Sequence, residues 1–96
     1  MAIAPNFLAA LGHAARARRL ELGLSQEEVS LESGVAQNSI SRLENGKDNI
    51  TYYNLKRLTD ALGIPASELL AHAERIEAVV KPSVDASAPG RANRVD

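Results

Sequence analysis

The sequence predicts an all-α fold of five helices, and three observations carry that prediction. Helix start and stop signals recur in order along the chain, and no segment alternates apolar and polar residues as a half-buried strand does. The core must also be aliphatic, since the only aromatic residues are Phe7, Tyr52 and Tyr53. A β-sandwich would draw on more β-branched and aromatic side chains. With 96 residues, 45% of them hydrophobic, the chain has material for one core.

The first helix is expected from about Phe7 to Glu21, with Asn6 as N-cap and Gly23 just past its end. The second opens at Ser25, where Ser25 and Glu28 have capping-box spacing and Leu24 with Val29 forms a hydrophobic staple; it ends near Ser33, at Gly34. The third covers about Gln37 to Asn45 and stops at Gly46, with Ala36 at its cap position, a poor residue there by about 1 kcal/mol. The fourth opens at Thr51, stapled by Ile50 and Leu55, and closes at Gly63. Pro65 is placed at the first position of the fifth. Leu69, Ala73, Ile76 and Val80 continue that helix as an amphipathic stripe to about Val80. The domain is therefore read as residues 6–80. Residues 81–96, rich in Pro, Gly, Ser and Ala without an apolar period, read as a flexible tail.

Composition excludes several functions. There is no cysteine, which removes disulfides and thiolate metal sites and fits a reducing compartment. No apolar run approaches a membrane span, so a cytoplasmic protein without membrane attachment is expected. His13 and His72 have no companion ligands, and no Ser-His-acid set or phosphate-cradling loop occurs; no enzyme, cofactor or metal site is expected. Glu27 and Glu28 read as first-turn acids complementing a helix N-terminus. The net charge of −1 permits nucleic-acid binding only if positive charge is local. Arg16, Arg18 and Arg19, then Arg42, Lys47, Lys56 and Arg57, are the residues that could supply it.

The stretch from Gln26 to Asn45 carries the functional signal. Two short helices joined by a tight turn need a small residue where they cross, and Ser30 fits; they need tolerance of positive φ in the turn, and Gly34 supplies it. Val29, Val35, Ile40 and Leu43 fall where the inner corner must be apolar. On a wheel of the third helix, Ala36, Ile40 and Leu43 share one face, while Asn38, Ser41, Arg42 and Asn45 lie opposite, with Gln37 at the exposed edge. Such polar faces usually serve only to meet solvent. In this turn geometry they are instead a set able to read bases: Gln and Asn match the donor and acceptor of adenine, and Arg matches guanine O6 and N7.

From about Ala15 to His72 the chain resembles the phage-repressor-like (XRE-type) helix-turn-helix family. The resemblance rests on Arg19, Leu22-Gly23-Leu24-Ser25-Gln26-Glu27-Glu28-Val29, Gly34-Val35, Ser39-Ile40-Ser41-Arg42-Leu43-Glu44-Asn45-Gly46-Lys47 and Leu55 through Leu62-Gly63-Ile64. Ser33, Ser30 and Ala36 depart from the usual apolar, Ala and hydroxyl residues. The resemblance implies a lambda-repressor-like five-helix domain, here with an extended C-terminal helix, whose third helix enters the major groove of double-stranded DNA. It implies Gln37, Asn38, Ser41 and Arg42 as base-reading residues, and Gln26, Ser39, Asn45 and Lys47 as backbone contacts. It also places Arg19 against Glu44 as a partly buried ion pair that orients the third helix.

Residues 49–58 further resemble restriction–modification controller proteins. Members of the family pair as two-fold dimers, so a homodimer is expected on a palindromic operator. The Leu69–Val80 stripe either packs on the first helix or pairs with its twin; dimerisation through the fourth and fifth helices is the reading adopted, with Tyr52, Tyr53, Leu69 and Ile76 as contacts. Two other functions stand beside the DNA-binding regulator. One is an antitoxin whose tail from Lys81 binds a toxin, and the other is a protein–protein adaptor that has lost DNA binding.

Overall fold

The computed structural model describes residues 5–47 and 49–87, with side chains over 6–47 and 49–79. Its elements in chain order are α1 (Pro5–Glu21), α2 (Gln26–Ser33), α3 (Gln37–Glu44), α4 (Tyr52–Ala61) and α5 (Ala66–Ser87). No strand occurs among the described residues.

Three helix ends differ from the sequence expectation. Asn6 does not cap α1, because the helix already includes Pro5, whose fixed φ and missing N–H suit a first helical position. Pro65 stands before α5 instead of inside it, and its carbonyl accepts from the amides of Glu68 (3.0 Å) and Leu69 (3.1 Å). The helix then runs past Val80 and through Pro82 to Ser87, seven residues beyond its expected end. Pro82 forfeits one backbone hydrogen bond there. The expected end followed from the apolar stripe stopping at Val80 and the Pro, Gly, Ser and Ala content beyond it, yet the helical backbone continues without that stripe. The rest of the expected tail, 88–96, lies outside the described residues.

The core is aliphatic, as the composition requires. Ala10, Leu11, Ala14 and Ala15 of α1 meet Val29, Val35, Ile40, Leu43, Leu55, Leu58, Leu62, Leu69 and Ala73, all buried. Each fully buried Leu or Ile stabilises the fold by about 1.5–3 kcal/mol relative to exposure. The most extensive packing joins α1 to α5, so the first and last helices close the domain on each other. Leu69 and Ala73 are wholly enclosed in that seam, and Ile76 packs at its edge. Leu69 is therefore a core residue and not a dimer contact, because α1 of the same chain covers it, whereas Ile76 stays half-buried at the edge of the seam.

Where α1 crosses α3, the helices touch backbone to backbone. A Cβ on Gly12 would overlap the Leu43 carbonyl oxygen and stand 3.0 Å from the carbonyl carbon and oxygen of Glu44. Arg18 of α1 closes another joint. Its Nε donates to the Leu62 carbonyl at 2.9 Å and its Nη2 to that of Gly63 at 3.3 Å, capping the C-terminus of α4.

Candidate nucleic-acid interface

The interface is built on α2, the turn and α3. Ser25 caps α2 in a reciprocal box: its hydroxyl accepts from the Glu28 amide at 3.0 Å, and the Glu28 carboxylate accepts from the Ser25 amide at 2.8 Å. The amides of Gln26 and Glu27, which have no acceptor inside the helix, are thus the open donors of that turn. At the far end Gly34 adopts φ 77°, a conformation in which a Cβ is strained. The Ser30 hydroxyl donates to the Val35 carbonyl at 2.7 Å, and the Ser33 hydroxyl accepts from the Val35 amide at 3.0 Å. Hydroxyls at 30 and 33 therefore pin the chain entering α3. The Arg57 guanidinium occupies the place a Gly34 side chain would need and lies 5.2 Å from the centre of the Tyr53 ring.

α3 begins without a side-chain cap, as Ala36 cannot provide one. Ala36 itself is exposed, so the buried face consists of Ile40 and Leu43, each 1% exposed. With that face fixed, Gln37, Asn38 and Arg42 project into solvent, while Ser39 and Ser41 are half-buried beside them. Asn45 and Lys47 are exposed just beyond the helix. Asn45 turns its amide onto the Ser41 carbonyl (2.9 Å), and the Lys47 amide donates to the Arg42 carbonyl (2.9 Å), so the α3 terminus is satisfied by its own sequence.

Arg19 and Glu44 meet across α1 and α3 in a two-pronged contact. Arg19 Nε lies 2.7 Å from Glu44 Oε2, and Arg19 Nη2 lies 2.9 Å from Glu44 Oε1. Both side chains are nearly enclosed, at 10% and 4% exposure. The third Arg19 nitrogen donates to the Leu24 carbonyl at 2.7 Å. These bonds to Glu44 raise the guanidinium above its ordinary range, with the carboxylate's charge adding to the shift and burial opposing it. Gln26 joins the same carboxylate, donating from Nε2 to Oε1 at 3.0 Å. Nothing in the spacing of Gln26 and Glu44 announces this bond, since it depends on how two helices cross.

Positive charge is distributed differently from the sequence listing. Of Arg16, Arg18 and Arg19, only Arg16 is exposed. Lys56 pairs with Asp60 at 2.8 Å, and Arg57 lies over Tyr53. The cations at the α3 face are Arg42 and Lys47. Among the described residues no group of three or more His, Cys, Asp or Glu could hold a metal ion, and no helix is long and apolar enough to cross a membrane.

Two short helices crossing at a glycine turn, the second presenting an ordered polar row, define a helix-turn-helix unit. The chain belongs to the helix-turn-helix family of the XRE type, DNA-binding transcription regulators, whose family model matches residues 16–69. It is 48% identical over 56 residues to an uncharacterised HTH-type transcriptional regulator of Sinorhizobium fredii, y4dJ, covering 58% of this chain and 71% of that one. Over 58 residues it is 34% identical to the control protein C.MunI of Mycoplasma sp, covering 60% of this chain and 78% of the relative. Among solved structures it is similar to the restriction-modification controller protein C.AhdI of Aeromonas hydrophila, with TM-score 0.63, 34% identity and coverage of 65% and 94%. It is also similar to the clp gene regulator ClgR of Corynebacterium glutamicum, with TM-score 0.77, 27% identity and coverage of 84% and 86%. These relatives are transcriptional regulators, not enzymes.

Proposed function

We propose that the protein is a sequence-specific regulator that binds double-stranded DNA as a homodimer on a palindromic operator. The observation that carries this reading is the outward row of α3. Gln37, Asn38 and Arg42 are exposed together while Ile40, Leu43 and Glu44 lock the opposite side. In a major groove that row, with Ser41, faces base edges, where Gln and Asn suit adenine and Arg suits guanine. Gln26, Ser39, Asn45 and Lys47 flank it and supply backbone contacts, which set register without reading sequence. With so few base contacts from one α3, two copies are needed for a useful specificity, reading half-sites about 34 Å apart.

With Leu69 assigned to the core, the contacts retained for the dimer are Tyr52 and Tyr53, at 75% and 70% exposure, and the half-buried Ile76. The likeness to controller proteins supports a transcriptional regulator, acting in the cytoplasm.

Selection of bound sequences from random duplex DNA tests the reading. A palindromic consensus for the native chain, blurred when Arg42→Ala is combined with Gln37→Ala, is the expected result. A folded native chain that enriches nothing at low salt would overturn it and favour a protein–protein adaptor.

A further inference from the structure

We propose that Glu44 is a positioning residue for DNA binding, holding the Gln26 side chain as a hydrogen-bond donor to a backbone phosphate. The inference rests on the DNA-binding reading above and assigns Glu44 a task beyond its ion pair with Arg19.

The argument begins with the carboxylate. Glu44 sits at the end of α3 with its side chain 4% exposed. Its two oxygens receive three donors from two other helices: Arg19 Nε on Oε2, and Arg19 Nη2 and Gln26 Nε2 on Oε1. An ionised carboxylate only accepts hydrogen bonds, so it decides which end of the Gln26 carboxamide turns toward it. The nitrogen faces inward, and one of its two hydrogens is engaged. The second hydrogen remains, on a residue that is half-buried and so keeps surface of its own. A glutamine otherwise loses rotamer freedom when a ligand fixes it. Here Glu44 has already fixed it in the free protein.

Charge makes the arrangement compatible with a polyanion. A bare carboxylate beside a phosphate would repel it, but Arg19 neutralises Glu44 through two short bonds. Arg19 also holds the Leu24 carbonyl, immediately before the α2 cap, at 2.7 Å. The start of α2 is thus tied to the end of α3 through both main chain and side chain. Backbone gripping by α2 and base reading by α3 become one rigid unit, so a change in the seat of α3 disturbs the phosphate donor of α2.

Glu44→Gln separates this role from simple electrostatics. On charge alone, removing an anion near the interface should tighten binding to DNA. The positioning role predicts the opposite, a loss of about tenfold, as for Gln26→Ala. The Gln26→Ala/Glu44→Gln double variant should bind no more weakly than Glu44→Gln, because both changes remove the same donor. The measurement uses a labelled duplex carrying the selected consensus, with folding of each variant verified by circular dichroism. Unchanged or tighter binding by folded Glu44→Gln, or losses that add in the double variant, would overturn the proposal. Should Glu44→Gln fail to fold, the wild-type chain without DNA still decides the matter by nuclear magnetic resonance. The Gln26 side-chain amide, assigned by its loss in Gln26→Ala, should show Overhauser contacts to the Glu44 methylenes, and their absence overturns the proposal. A wild-type chain that binds no duplex takes down the regulator reading as well, whereas wild-type binding with additive losses overturns this inference alone.

Discussion

Gly12→Ala is the substitution whose sign depends most directly on the α1–α3 crossing. In a solvated helix this change stabilises by about 0.8–1 kcal/mol, through the better helix propensity of alanine. At position 12 the new methyl would overlap the Leu43 carbonyl oxygen and press on the carbonyl of Glu44 at 3.0 Å. Those atoms are main chain in a helix held by Ile40 and Leu43, so they cannot swing aside as a flexible side chain would. A normal contact of about 3.3 Å is restored only by moving α1 away from α3, on the order of 1 Å. Overpacking of that kind costs about 1–3 kcal/mol, and direct backbone overlap belongs at the upper end. After the propensity gain a net loss of about 1–2 kcal/mol remains, which lowers the melting temperature of a domain this size by roughly 4–16 °C. Urea unfolding of Gly12→Ala against wild type, followed by circular dichroism, reads it. An equal or higher midpoint would refute the close crossing, because propensity alone would then be acting.

Three further outcomes follow from the same structure. Arg19→Ala and Glu44→Ala should each destabilise by about 3–5 kcal/mol, since either leaves an enclosed charge without its partner, and the double variant should recover much of the second loss; coupling within error of zero in urea unfolding would discard the pair as a structural element. Ala36→Ser should stabilise by about 1 kcal/mol, because the α3 cap position has extended backbone geometry (φ −57°, ψ 138°) and no side-chain acceptor; an unchanged urea midpoint would count against it. The raised guanidinium of Arg19 stays charged through the whole alkaline working range. A group whose folded value is raised contributes stability that is complete below its unfolded value and lost only as pH climbs through the folded one. The stability difference between wild type and Arg19→Ala should therefore stay level from about pH 7 to 10; a gap narrowing in that window would contradict it.

What could be read from the sequence was local. Ser25 with Glu28, Thr51 before α4, and the glycine between α2 and α3 act within a few residues of each other, and each fixes its turn as its residue type requires. The inner corner of Val29, Val35, Ile40 and Leu43 follows from helical periodicity, which survives any arrangement of the remaining helices. The misplacements concern encounters between distant elements. Leu69 belongs to an apolar stripe that would serve a partner helix in the same chain or in another, and periodicity does not distinguish them. Arg18 reads as one of a basic cluster, although its guanidinium caps α4. Gln26 reads as an outward amide, and its inward bond exists only because α2 and α3 converge on Glu44. The apolar stripe ends at Val80, but a helix needs no apolar face to continue, and one hydrogen bond missing at Pro82 does not end it.

The pairing of α1 with α5 has a consequence for how the protein comes into being. The residues that close the core leave the ribosome far apart in time, Leu11 and Ala14 with α1 and Leu69 and Ala73 only after α4 has been made. Until α5 leaves the ribosome, the seam on α1 stays open to water, and the nascent chain presents an apolar strip beside α3. Such late closure makes the domain cooperative from end to end. A truncation before α5 would leave α1 without its principal support, loosening the Gly12 crossing and the Arg19 grip that seat α3.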